Sequence, residues 1–123
     1  MRLQTTKIQA SLPDFCPDIH YFALVDNDSR EEIDTHSSAN GLDKALDAFA
    51  FYIDRVNIAR QSTIERFKTQ NKDPFATCPE LLDISKMHVE KRWYRGPGYC
   101  LVLEETYDVN DMLMQKVNNI SQL

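Results

Sequence analysis

Glycine is nearly missing from this chain: three residues in 123, at positions 41, 96 and 98. A loop that cradles phosphate needs several glycines so that backbone N–H groups can close around the anion. So few exclude such a loop, and neither GxxxxGKS nor GxGxxG occurs. HExxH does not occur either, so no familiar catalytic motif is present. Cysteine is scarce as well. Cys16, Cys78 and Cys100 are odd in number and far apart, which suits free thiols in a reducing compartment better than a disulfide framework. Cys100 lies in the apolar run YCLVL, where a buried thiol is expected. No window approaches the roughly 18 consecutive apolar residues that span a bilayer, and the opening MRLQTTKIQASL holds no signal-peptide core. These absences predict a soluble, cytoplasmic protein without membrane association.

What is present is ordinary in amount and uneven in place. Hydrophobic residues at 42% and charged residues at 27% are those of a globular domain, and a chain of this length builds one core, so residues 1–123 are read as a single domain. The formal net charge is -5. It is not spread evenly. The first 36 residues carry seven acidic side chains against three basic, residues 73–85 carry three acidic and no basic, and residues 86–95 carry four basic and one acidic. An acidic overall field argues against a protein that coats nucleic acid, while leaving a local contact through the basic run open.

Hydrophobic periodicity gives an α+β chain in the order β-β-β-α-β-β-α. In QTTKIQASL, Thr6, Ile8, Ala10 and Leu12 alternate with polar residues at the period of a half-buried strand, and Pro13 and Pro17 bracket the loop that follows. IHYFALV (19–25) is apolar on both faces and reads as a central strand. DNDSR turns the chain, and EEIDTH returns as the second arm of a hairpin. Asn40 is placed to cap a long helix, with Asp43 answering it, and Leu42, Leu46, Phe49, Ile53, Val56, Ile64 and Phe67 form one apolar stripe. Asn71 and Asp73-Pro74 end this helix of about 30 residues, about 45 Å long at 1.5 Å per residue. Phe51, Tyr52 and Ile58 lie off the stripe, so a second layer or a second subunit must cover that side; a homodimer through the helix is the expectation. ISKMHVEKRWY and YCLVLEETYDV make a second hairpin, and NDMLMQKVNNI a short C-terminal helix. The whole is an antiparallel sheet, two hairpins plus an N-terminal strand, packed against the long helix.

Chemistry-bearing residues are few. Cys16, His20, His36, Cys78, His88 and Cys100 lack the paired short spacing that announces zinc, and no metal or other cofactor is expected. Asp26-Asn27-Asp28 begins like a calcium loop, but Arg30 stands where a third ligand belongs and the required glycine and distal glutamate are missing. A Cys–His nucleophile pair has no better support, and His20 and His88 read as strand residues.

The exception is KRWYRGPGYC (91–100), which sets cations and aromatics at a hairpin tip turned by Arg95-Gly96-Pro97-Gly98. Trp93 and Tyr94 are neighbours in a strand and point to opposite faces, so only one enters the core. Either Arg92 or Arg95 stacks on an aromatic within the sheet, or the tip contacts a partner, since Trp, Tyr and Arg are enriched at binding hot spots. The expected function is a non-enzymatic interaction module, a small acidic inhibitor or immunity-type protein of bacterial or phage origin that blocks a toxin or a defence component. Its contact residues are Arg92, Trp93, Tyr94 and Arg95, with the acidic tip at Asp26, Asp28, Glu31 and Glu32 steering a basic partner. The competing expectation is a small-ligand or nucleotide-binding module whose pocket uses the same arginines and an aromatic.

Overall fold

Apolar residues on both faces of residues 19–25 require a strand with neighbours on each side, and the fold supplies them. The structure is a computed structural model that describes the backbone of residues 2–7, 18–95 and 100–121 and the side chains of residues 20–93 and 105–120. Five strands, β1 (Arg2–Lys7), β2 (Asp18–Asp26), β3 (Glu32–Ser37), β4 (Met87–Arg95) and β5 (Cys100–Tyr107), form one sheet in the order β1-β5-β4-β2-β3, every pair antiparallel. β2 lies inside the sheet. Its register on β4 is unbroken from Asp18 opposite Arg95 to Asp26 opposite Met87. The N-terminal strand is real but begins earlier than the alternation at Thr6–Leu12 implied; residues 8–17, with the proline-bracketed loop and Cys16, lie outside the described residues, as does the tip 96–99.

Side-chain alternation then gives the two faces of the sheet different jobs. Phe22 and Leu24 of β2 and Met87 and Val89 of β4 face α1 (Gly41–Gln70) and α2 (Asn110–Ser121), and pack with Leu46, Phe49, Ile53 and Leu113 into the main core. Tyr21, Ala23 and Val25 are buried on the reverse face.

The long helix runs as the stripe required, with one correction at its start. Asn40 occupies the cap position, but its side chain makes no cap bond, because its backbone (φ -102°, ψ 8°) is not in the extended conformation that aims a capping oxygen at the first turn. The chain enters the helix instead through Gly41, whose left-handed φ of +86° a side chain would strain. Burial is concentrated in the first half, at Ala45, Leu46, Phe49, Ala50 and Ile53, with Ile64 alone farther along. α2 lies against α1 and supplies a second layer from within the chain. Its Lys116 Nζ reaches Asp47 Oδ1 at 2.6 Å and Asp43 Oδ1 at 3.0 Å. Phe51 and Ile58 stay exposed, and Arg55 stands over the Phe51 ring at 5.0 Å.

After Asn71 the chain returns along the helix without regular structure, held by side chains. Asn57 acts as a peptide group in profile: its Nδ2 donates to the Leu82 carbonyl at 3.2 Å and its Oδ1 accepts the Leu82 N–H at 2.8 Å. Arg60 Nη1 donates to the Glu80 carbonyl at 2.9 Å. A 3-10 turn, Ile84–Lys86, then leads into β4.

Candidate functional site

Where the returning segment passes the β2–β3 turn, it leaves a groove of about 770 Å³. One wall is the turn and the start of β3, the other is residues 77–83, and Tyr52 and Arg60 of α1 close it from the helix side. Acidic residues come from both walls, Asp26, Glu31 and Glu32 from the first and Glu80 and Asp83 from the second, but the Glu32 carboxylate is bonded by Arg92 and Tyr21. Arg60 and Lys86 are the cations among its lining residues, and Ile33, Leu81 and Leu82 contribute apolar surface. Two of the acids are held charged. The Ser29 backbone N–H bonds Asp26 and keeps its carboxyl below the usual range, and the Ser85 hydroxyl and N–H do the same for Asp83. The groove therefore stays anionic into mildly acidic solution.

On the reverse face of the sheet, the turn is fastened to a buried ion network. His88, Glu90 and Arg92 alternate along β4 and so share a face, opposite Val25, Ala23 and Tyr21 of β2. Glu90 is 1% exposed and Arg92 7%. Arg92 Nη2 and Nε lie 2.6 and 2.7 Å from Glu90 Oε1, and its Nη1 donates to Glu32 Oε2 at 2.7 Å. Tyr21 Oη donates to the same Glu32 oxygen at 2.6 Å. Arg30 Nη2 and His88 Nε2 approach the second oxygen of Glu90 at 3.0 and 2.5 Å. Burial alone would raise the Glu90 carboxyl, but the hydrogen bonds of His88 and Arg92 and the charges of Arg92 and Arg30 outweigh it and hold Glu90 below its ordinary value. Arg92 is likewise pushed down by burial, and its bonds to Glu90 and Glu32 overcome that and raise it.

Arg30 reaches Glu90 from a left-handed backbone, φ +66°, at the end of the β2–β3 turn, where the Asp26 N–H bonds the Glu31 carbonyl and the Arg30 N–H bonds the Asp26 carbonyl. Glycine holds that conformation without strain, whereas a residue with a Cβ is disfavoured by roughly 1–2 kcal/mol. Arg30→Gly and Arg30→Ala both lose the Glu90 contact, but only the alanine keeps the strain. Urea unfolding is therefore expected to rank Arg30→Gly above Arg30→Ala by about 1 kcal/mol, the reverse of the usual order. Equal stabilities would remove strain from the account of this turn.

The residues singled out from sequence fall at two ends of the sheet. Asp26, Asp28, Glu31 and Glu32 are at the groove end; the strand positions of Arg92, Trp93, Tyr94 and Arg95 run toward the other, and Asp26 and Asp18 are about 26 Å apart along β2 at 3.3 Å per residue. They do not form one surface. Arg92 turns inward to Glu90 and Glu32. Trp93 lies on the helix side of the sheet, stacked on exposed His20 with ring centroids 5.6 Å apart and planes 13° from parallel. Tyr94 is opposite Ile19 and Arg95 opposite Asp18 in register, and their side chains lie outside the described residues, as does that of Cys100. Asp28 and Glu31 are exposed.

Sequence reading missed the network and the second wall. The period-two spacing of His88, Glu90 and Arg92 was the available signal for the first. Nothing local marked the second, since residues 77–83 are held by Asn57 and Arg60 of a helix 20 to 25 residues earlier and by the packing of Leu82 on the core. Among the described residues, no group of three His, Cys, Asp or Glu is placed to hold a metal ion, and no helix is long and apolar enough to cross a membrane. In comparisons with known proteins, no family model, no curated protein and no solved structure matched this chain.

Proposed function

We propose that this chain is a non-enzymatic protein-binding module, of the small inhibitor or immunity type met in bacteria and phages, and that it takes a basic segment of its partner into the acidic groove. The observation that carries the reading is the groove lining: Asp26, Glu31, Glu80 and Asp83 against Arg60 and Lys86, with apolar side chains between them. Such a lining attracts lysine or arginine side chains and lets their aliphatic stems lie on Ile33 and Leu81. Nucleotide phosphates are disfavoured there, because each unit charge at about 4 Å from a carboxylate is repelled by about 1 kcal/mol even in water. The Arg/aromatic alternative has weaker support, because the Arg92 guanidinium is already engaged by two carboxylates.

A random-peptide display library selected on the protein, with counter-selection on Glu31→Lys/Glu80→Lys, tests this directly. Recovered peptides are expected to be rich in Arg and Lys, and to bind at least about tenfold more weakly to the double variant, a loss of ~1.4 kcal/mol. Binders without basic residues, or binders indifferent to the charge reversals, would overturn the reading.

A further inference from the structure

Residues 81–83 border two cavities. One is the acidic groove, completed by the β2–β3 turn; the other is a cleft of about 380 Å³, completed by α2. The cleft's apolar walls are Ile53 of α1, Leu81 and Ile84 of the returning segment, and Met114 and Val117 of α2. Leu81 and Met114 are each 44% exposed, so the cleft opens to solvent. Its polar groups are already engaged. Asn57 uses both ends of its amide on the Leu82 backbone, the Ile84 carbonyl accepts from Asn110 Nδ2 at 3.1 Å, and the Asp83 carbonyl accepts the Lys86 N–H at 3.0 Å. A polar guest would give up water there for few new hydrogen bonds, whereas an apolar one gains by leaving water.

We propose that this cleft is a second subsite for the guest of the acidic groove, and that the recognised segment pairs a lysine or arginine with one large apolar side chain such as Leu, Phe or Trp. The inference rests on the groove reading and adds sequence specificity to it. Asp83 is the charged residue common to both linings, and its bonds from Ser85 keep it ionised, so a cation drawn to it already lies at the border of the cleft. A guest passing over the single chain that borders both cavities covers about two strand spacings, roughly 10 Å, or about three residues of extended chain. The cation and the apolar anchor are therefore expected about two to four residues apart. The unbranched Met114 side chain adapts to apolar guests of different shape.

Peptides selected from the random library on the wild-type protein test the pairing. They are expected to carry an apolar residue at a constant spacing of about two to four from Lys or Arg. Changing that residue to Ala in the peptide is expected to weaken binding about tenfold, the scale set by burying one large apolar side chain, and this arm leaves the protein untouched. Met114→Asp is the matching change in the protein, since Met114 lines the cleft and not the groove. By charge alone it would tighten a basic guest. An apolar anchor instead predicts binding about tenfold weaker, with no further loss when the Ala peptide is used. Basic peptides with no apolar residue at a fixed spacing, an Ala change without effect, or tighter binding by Met114→Asp would overturn the second subsite and leave the groove reading intact. Peptides that respond to Met114→Asp but not to Glu31→Lys/Glu80→Lys would overturn the groove reading and, with it, the two-part guest.

Discussion

Glu90→Ala is expected to lower the free energy of unfolding by about 3–5 kcal/mol in urea titration, a large share of the stability of a domain this size. Ordinary exposed ion pairs contribute about 0–1 kcal/mol. Glu90 differs because its 1% exposure leaves no water to replace it, and because Arg92, also buried, loses one of its two carboxylates. Glu90→Leu/Arg92→Leu removes both buried charges and is expected to be less destabilising than Glu90→Ala alone. A loss under about 1 kcal/mol in the single variant would show that the network behaves as solvated surface pairs. The pH dependence has a definite sign. Glu90 is held below its ordinary 4.5, so its contribution is complete above that pH and is lost as the pH falls through the lower folded value. The variant's stability should therefore fall less steeply with acid than that of the parent protein.

Phe49→Ala is expected to be comparably severe, about 3–5 kcal/mol, while Phe51→Ala two residues later changes stability by less than about 0.5 kcal/mol. Phe49 is fully buried, between the sheet and the helices, whereas Phe51 is 53% exposed with Arg55 above its ring. The same Phe51→Ala change, combined with Ile58→Ala, bears on association through α1. If the long helix joins two copies, light scattering of the double variant should show a smaller mass than the parent protein at equal concentration. Equal masses would mean that the exposed side of α1 is not a subunit interface.

The extent of α1 was readable almost to the residue, because a stripe at helical spacing and the Asp73-Pro74 stop are local properties of the chain. β2 was readable as an interior strand for a similar reason: residues apolar on both faces need cover on both sides. The cap at Asn40 misled because capping depends on the backbone angle of that residue, and the angle was set by the turn from β3 into Gly41. Likewise the acidic and the aromatic-basic residues were each found, but their separation was not. Two hairpins can meet tip to tip or tip to base. Only the antiparallel pairing of β2 with β4 decided that Asp26 stands by Met87 and far from Arg95.

By itself, then, the sequence determined the element types, their order, the buried stripe of the long helix and the acidic character of the first turn, all consequences of spacing along one strand or one helix. The tertiary structure decided that Arg92 faces inward to Glu90 and Glu32, that residues 77–83 become a groove wall, and that His88 bridges a turn and a buried carboxylate. Each depends on a contact between residues 20 to 61 positions apart, and at such separations it is strand register and helix docking, not neighbouring sequence, that choose each partner.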